Sequence, residues 1–193
     1  MLNLKFPGSQ QLIDAIDLAV GKPDTPALTS SLRQSLCRLM HSGEVQLPEC
    51  VFIPCSDHYA RRELYRSDDH GYCVVAMTWG PGQGTPIHDH DGMWCVEGVW
   101  HGALEIEQYD LLEHADDRYH FTAVGSIQAG AGSAGSLIPP HEYHSIRNPS
   151  DDSVTVSLHV YAGPMLRCAV FAPLPDGRWY TRDVHALGLD RVQ

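Results

Sequence analysis

From about residue 49 onward the chain is a succession of short β-forming runs separated by clusters of Gly, Pro, Asn and Asp. This alternation constrains the fold more than any other feature, because short runs bounded by turn-forming residues are typical of strands. The predicted strands are 51–54, 72–79, 93–100, 103–111, 119–124, 136–138, 143–146, 154–161 and 166–171. The turn segments include GPGQGTP at 80–86, AGAGSAG at 129–135, NPSDD at 148–152 and LPDG at 174–177. The pattern favours an all-β sandwich or barrel.

Two segments near the N-terminus predict α-helices, because their apolar residues recur at helical spacing. The first is 9–20, with Ser9 as a candidate cap. The second is 25–40, with Thr25 as the cap and Pro26 in the first turn. A helical segment therefore precedes the strands.

Length and composition favour a single globular domain. At 193 residues, with 43% hydrophobic and 19% charged residues, the chain can bury a sizeable core. We expect one domain over 1–193, in which 1–45 form a helical cap and about 49–185 form the β-barrel.

Charge and cysteine content bear on the partners of the chain. A net charge of −11 argues against a nucleic-acid partner, which needs clustered Lys and Arg. No stretch approaches the roughly 18 apolar residues of a transmembrane helix, and the first residues lack a run of signal-peptide length. We therefore expect no membrane partner.

The six cysteines form no CxxC pair and are interpreted as reduced thiols, which predicts a cytoplasmic protein. The oligomeric state is not indicated.

Three histidines stand in patterns that predict a metal site. His88 and His90 are two residues apart, so on a strand their side chains would project to the same face. Alone, such a pair is as often a surface accident as a ligand pair. His144 lies about fifty residues further on, preceded by Pro139 and followed by Asn148. Together with the glycines that flank the first pair, this spacing resembles the two short motifs of the cupin superfamily, a small jelly-roll-like β-barrel.

The fourth ligand of many cupins, a glutamate four or five residues after the HxH pair, is missing. Trp94 and Cys95 occupy those positions, and Glu97 has a different spacing. We therefore predict a site of three neutral imidazoles, which suits iron, zinc or copper. Such a site leaves coordination positions for an anionic bidentate ligand, such as a thiol carboxylate, and for dioxygen.

A strand further on carries three polar residues on one face. Ser157, His159 and Tyr161 alternate with apolar residues. One interpretation is an amphipathic strand with its polar face in solvent. A second is a hydrogen-bonded relay from serine through histidine to a phenol at the metal site. A hydrolytic Ser–His pair is a third, although neither a nucleophile elbow nor an acid partner is visible.

Over roughly residues 50–172 the chain resembles the cysteine dioxygenase family of cupin-type thiol dioxygenases, including bacterial cysteine and 3-mercaptopropionate dioxygenases. The segments that carry the resemblance are Trp79-Gly80-x-Gly82, Ile87-His88-Asp89-His90, His144–Asn148 and Ser157-Leu158-His159-Val160-Tyr161. The resemblance implies conversion of a small thiol to its sulfinic acid with both atoms of dioxygen.

The resemblance also implies roles for individual residues. His88, His90 and His144 would ligate iron(II). Tyr161, positioned by His159 and Ser157, would hydrogen-bond near the bound thiol and oxygen, so these three residues are the catalytic candidates.

Two further roles follow from the resemblance, and each has an alternative. Cys95 would form a thioether crosslink with Tyr161, or else remain a buried free thiol. Arg61 would bind the substrate carboxylate, because it matches the arginine of the family's Tyr-x-Arg motif. Arg62 and Arg167 are the alternatives.

The substrate and the enzyme class keep alternatives as well. Cysteine, 3-mercaptopropionate and mercaptosuccinate are all compatible with the arginines. A different metal-cupin enzyme, or a non-catalytic cupin that binds a ligand, is the alternative to a thiol dioxygenase.

Overall fold

The computed structural model describes residues 5–191, and it begins with two helices. Helix α1 is Ser9–Val20 and helix α2 is Thr25–Ser42, so both predicted helices are confirmed. The predicted caps are each wrong by one residue. Gly8 precedes α1 without a side-chain cap, and the Asp24 carboxylate accepts the Ala27 N–H at 2.8 Å to cap α2. Ser9 and Thr25 are instead the first helical residues.

A short 3-10 helix, Glu49–Phe52, leads into the strands. The described residues contain eleven: β1 Ala60–Ser67, β2 Tyr72–Trp79, β3 Ile87–His88, β4 Cys95–His101, β5 Ala103–Ala115, β6 Arg118–Gly130, β7 Ala134–Leu137, β8 His144–Arg147, β9 Thr155–Tyr161, β10 Arg167–Pro173 and β11 Tyr180–Ala186. The strands form a five-stranded sheet in the order β1-β2-β9-β4-β7 and a closed barrel in the order β10-β11-β6-β5-β8-β3. The predicted all-β cupin barrel with a helical N-terminal cap is confirmed.

Some predicted strand positions are wrong. Segment 51–54 overlaps the 3-10 helix, whose bonds are local, from the Val51 N–H to the Pro48 carbonyl. A short apolar run does not distinguish a strand from a helical turn. The runs predicted for β5 and β6 are too short, because these strands extend past the barrel as a mostly exposed hairpin. Strands β1, β3 and β11 are missing from the predicted strands. Strand β1 carries several charged residues although it is mostly buried, β3 has only two residues, and the residues of β11 are mostly exposed and lack a buried apolar pattern.

The two helices cover one face of the five-stranded sheet. Leu32 and Leu36 of α2 belong to one buried cluster with Leu158 and Val160 of β9. The alternate residues of β9 therefore face the barrel interior, and every residue of β9 is buried. The interpretation of β9 as an amphipathic strand with a solvated polar face is wrong, because the sheet is covered on both sides. No helix among the described residues has the length and apolarity needed to cross a membrane.

Candidate metal centre and active site

The structure brings His88, His90 and His144 together. One ring nitrogen of each lies within 4.8 Å of the others. His88 on β3 and His144 on β8 are direct partners in the ladder, and their ring centroids are 4.4 Å apart. The His90 ring stacks on that of His144 at 5.1 Å. Two neighbouring strands and the loop that follows one of them thus supply convergent imidazoles.

The two histidines of the HxH pair do not both lie on a strand, which corrects the prediction. Strand β3 ends at His88. The backbone nevertheless continues beside β10, because the Asp89 N–H donates to the Ala169 carbonyl at 3.0 Å and the Asp89 carboxylate accepts the Ala169 N–H at 2.8 Å. A turn with positive φ at Asp91 and Gly92 follows. The His90 side chain therefore points to the same side as that of His88, as it would on a strand, although His90 is not paired in a ladder.

His90 and His144 are buried, His88 is partly buried, and the rings are oriented as neutral donors. His88 Nδ1 lies 3.1 Å from the Pro86 carbonyl, and His144 Nδ1 lies 2.8 Å from the Glu142 carbonyl. Since a carbonyl only accepts, each Nδ1 carries the hydrogen and each Nε2 keeps its lone pair. His144 Nε2 and His90 Nδ1 are buried without a hydrogen-bond partner. Burial is the main cause that lowers the pKa of all three rings. Neutral imidazoles held by carbonyls fit a transition-metal ion.

The relay through β9 takes a different route from the predicted one. The Trp79 indole N–H donates to Ser157 Oγ at 2.8 Å, and Ser157 Oγ lies 2.8 Å from His159 Nε2. Because an indole only donates, the serine hydroxyl is free to donate to Nε2, which leaves the hydrogen on Nδ1. His159 Nδ1 lies 3.4 Å from Glu97 Oε2. The chain of contacts therefore leads to a carboxyl group rather than to Tyr161.

Tyr161 is connected to its surroundings in another way. Its hydroxyl lies 3.8 Å from Met77 Sδ, and its ring stacks on that of His159 at 5.9 Å between centroids. Cys95 of β4 is its direct partner in the ladder with β9. Burial raises the pKa of both the Cys95 thiol and the Tyr161 phenol. The two side chains named for a thioether crosslink are thus neighbours, and the crosslink stays a prediction.

The three candidate arginines occupy different environments. The Arg61 guanidinium donates to the Gly188 carbonyl at 2.9 Å and to the Met165 carbonyl at 3.1 Å. The Arg62 guanidinium points to the other face of β1, where it donates to Thr78 Oγ1 and the Ile53 carbonyl. Arg167 is exposed and pairs with Asp91 at 2.9 Å.

One cavity contains most of the predicted site residues. Its lining includes the three histidines, Arg61, His159 and Tyr161, together with Tyr59, Met77, Met165, Cys168 and Leu187. Ser157 is behind His159, outside this lining. Arg62 and Arg167 are also outside it. The fold thus places a cation, a phenol and three imidazoles around one small volume.

The family model of cysteine dioxygenase type I matches residues 34–173. The chain belongs to this family. Cysteine dioxygenase type 1 of Danio rerio is 23% identical over 120 residues, which are 57% of this chain and 54% of that protein. The chain therefore matches about half the length of this curated relative.

Two solved structures are similar to the chain. One comes from Thermus thermophilus, with 18% identity and a TM-score of 0.47, and the match covers 62% of this chain and 97% of that chain. The other is a protein with a double-stranded β-helix domain from Klebsiella pneumoniae, with 17% identity and a TM-score of 0.47. That match covers 63% of this chain and 90% of that chain.

In this member of the cysteine dioxygenase type I family, Glu97 is the site residue that sequence reasoning missed. Its Oε2 lies 3.9 Å from His144 Nε2 and is buried without a hydrogen-bond partner. Burial raises the pKa of this carboxyl to about 7. Glu97 lies seven residues after His90, whereas the usual fourth ligand lies four or five residues after the HxH pair. The overlooked signal is the two-residue alternation along β4, which places Glu97 on the same face as Cys95.

Proposed function

We propose that this protein is an iron(II)-dependent thiol dioxygenase that converts a small thiol carboxylic acid, of the cysteine or 3-mercaptopropionate type, to its sulfinic acid. One thiol and one dioxygen give one sulfinic acid, so the reaction needs no external reductant. The observation that carries the proposal is the single cavity lined by three neutral imidazoles, Tyr161 and Arg61. Membership of the family supports the same chemistry.

His88, His90 and His144 would hold the metal. Their nitrogens converge within 4.8 Å, and the unpartnered His144 Nε2 and His90 Nδ1 are costly to bury unless a ligand satisfies them. Iron(II) bound there would supply the positions at which the thiolate and dioxygen meet. The ring orientation is fixed in advance at His88 and His144 by the backbone carbonyls, an arrangement that is common for histidines that bind metals.

Arg61 would bind the substrate carboxylate. Two backbone carbonyls, of Gly188 and Met165, hold the guanidinium plane in position, and its remaining N–H groups can serve a carboxylate in a fork geometry. Since Arg62 and Arg167 do not line the cavity, a substrate with one carboxylate fits better than a dicarboxylate such as mercaptosuccinate. The nearby Glu97 carboxyl would also repel a second carboxylate when it is ionised.

Tyr161 would act as a hydrogen-bond donor beside the reacting atoms. Burial raises the pKa of its phenol, so the hydroxyl keeps its proton at neutral pH. Its sulfur contact with Met77 is weak, so the hydroxyl can turn to a bound thiolate or oxygen. His159, held by Ser157 on one side and facing Glu97 on the other, would support the tyrosine ring.

The test is purification without added metal, followed by iron quantification and oxygen-uptake measurements. The substrates compared are cysteine, 3-mercaptopropionate, mercaptosuccinate and cysteamine. We expect bound iron, oxygen uptake that depends on the thiol, and a sulfinic acid product from one of the monocarboxylates. A protein that binds iron but consumes no oxygen with any of these thiols would contradict the dioxygenase proposal and favour a non-catalytic cupin.

A further inference from the structure

We propose a second metal site, for zinc or a similar divalent ion, formed by Cys55, His58 and Asp190. These residues offer a sulfur, a ring nitrogen and a carboxylate oxygen that all lie within 4.8 Å of one another. They come from the segment before β1 and from the segment after β11. The site is separate from the three-histidine centre, and its occupancy does not depend on the proposed function.

The donor distances are close to those that a tetrahedral ion requires. His58 Nε2 lies 3.0 Å and Cys55 Sγ lies 3.9 Å from the same atom, Asp190 Oδ1. Ligand bonds of about 2.0–2.3 Å in tetrahedral geometry separate neighbouring donors by roughly 3.4 Å. Both measured distances lie within about half an ångström of this value, and the donors of Cys55 and His58 lie within 4.8 Å of each other.

The hydrogen bonds that orient the ligands of this cluster are already formed. His58 Nδ1 lies 2.8 Å from Asp57 Oδ1, an arrangement in which a carboxylate fixes the ring so that Nε2 presents its lone pair. The other oxygen of Asp190, Oδ2, accepts the Arg61 backbone N–H at 2.8 Å. Both the imidazole and the carboxylate are thus oriented by groups outside the cluster, as metal ligands usually are.

The donor set also indicates the class of ion. Thiolate and imidazole select zinc and its neighbours, whereas magnesium and calcium take oxygen ligands. The His58 side chain is 49% exposed and that of Asp190 is 26% exposed, so water can reach a fourth position. Three protein ligands with one open position is a regular zinc arrangement.

An ion here would join two segments that border the active-site cavity. The Asp190 N–H donates to the Arg61 carbonyl at 2.7 Å, and Gly188, two residues earlier, accepts from the Arg61 side chain. Leu187 of the same segment lines the cavity of the three histidines. Metal binding would therefore fix the C-terminal segment across the side of the cavity that carries Arg61.

Cobalt(II) is a suitable probe, because a cobalt–thiolate bond gives a charge-transfer absorption that a three-histidine site lacks. The experiment uses the full chain with the three-histidine centre loaded with iron. We expect one equivalent of cobalt with a thiolate band in the parent protein, and loss of this band in Cys55→Ser and His58→Ala. The matched controls, Cys37→Ser and His185→Ala, change another partly exposed cysteine and another exposed histidine that lies beside an aspartate. Both should keep the band.

Zinc competition adds a second measurement. Zinc should displace cobalt in the parent protein, and Asp57→Asn, which removes the charge of the carboxylate that orients His58, should weaken zinc binding about tenfold. An unchanged thermal unfolding midpoint of each variant, measured without added zinc or cobalt, shows that the fold is intact. No thiolate band in the parent protein would overturn the proposal. A band retained in Cys55→Ser would do so as well, because it would move the ion to the buried cluster of Cys95, Glu97 and His159.

Discussion

At the scale of single residues, the site is defined by buried polar groups whose partners come from distant parts of the chain. His144 Nε2 has no hydrogen-bond partner, and Glu97 Oε2 lies near it without donating or accepting. Buried groups of this kind destabilise a fold unless a ligand or a proton compensates them. His144 lines the cavity of the three histidines and Glu97 lies directly against it, which indicates a role in binding rather than in stability.

His144→Ala should abolish iron binding, because it removes one of three donors, and thiol-dependent oxygen uptake should fall to background. The control is His141→Ala, which changes a histidine three residues earlier whose side chain is 81% exposed. Iron is quantified in both purified variants. Retention of a full equivalent of iron by His144→Ala would mean that this histidine is not a ligand.

Arg61→Met should lower kcat/KM for a thiol carboxylate by roughly one to two orders of magnitude, the size of a lost charge-assisted hydrogen bond. Activity with cysteamine, which has no carboxylate, should change much less. Arg167→Met is the control, because Arg167 is exposed and outside the cavity. Equal losses on the acid and on cysteamine would remove Arg61 from carboxylate binding.

Glu97→Gln keeps the size of the side chain and removes the negative charge beside His159. We expect retained iron, a kcat reduced by roughly tenfold because His159 loses a charged partner, and a free energy of unfolding that is unchanged or higher. Steady-state kinetics and denaturant unfolding measure the two effects. Glu113→Gln on the exposed part of β5 is the control. A full loss of iron would instead assign Glu97 to the metal.

At the scale of elements, strand β9 links stability to the site. Its Leu158 and Val160 pack under the helices, while Ser157, His159 and Tyr161 face the barrel interior. Its ladder with β4 places Cys95 opposite Tyr161 and Glu97 opposite His159. The alternate residues of β9 thus lie on opposite faces of the sheet. A shift of its pairing by one residue would turn the apolar residues toward the barrel interior and the polar residues toward the helices.

Leu158→Ala should lower the free energy of unfolding by about 2–5 kcal/mol, because it leaves a cavity beneath α2. Denaturant unfolding of the iron-loaded protein measures the change. The control, Val184→Ala, truncates a side chain on β11 that is 47% exposed, and should change stability by less than about 0.5 kcal/mol. Similar losses in both variants would contradict the assignment of Leu158 to the main core.

At the scale of the whole molecule, the C-terminal segment closes against the beginning of β1. His58 is the titratable link in this closure, since it lies between Asp190 and Asp57. The hydrogen bond with Asp190, followed by that with Asp57, raises the pKa of His58 above 6.5 in the folded protein.

A histidine whose pKa is raised by folding stabilises the protein fully below its unfolded pKa, and this contribution is lost as pH rises through the folded pKa. In the presence of a chelator, His58→Ala should therefore lower the unfolding midpoint more at about pH 5.5 than at about pH 8.5. Thermal unfolding of both proteins at the two pH values is the measurement. A difference that stays constant with pH would exclude the protonated link.

The sequence by itself determined the fold class, the bounds of α1 and β2, and the grouping of His88, His90 and His144. These depend on local information: side-chain periodicity, turn residues and the short spacing of motifs. The resemblance carried by the Ser157–Tyr161 strand also led to the correct family.

Tertiary structure alone decided which polar groups meet. Glu97 and His159 are 62 residues apart in the sequence, and only the β4–β9 register makes them partners. In the same way, Arg61 and Arg62 are neighbours on β1 and point to opposite faces of the sheet. The pairing of β1 with β2 decides that Arg61, and not Arg62, lines the cavity. The cluster of Cys55, His58 and Asp190 exists because the chain returns to β1 at its end. Contacts of this kind depend on strand pairing over long sequence separations, which local patterns do not encode.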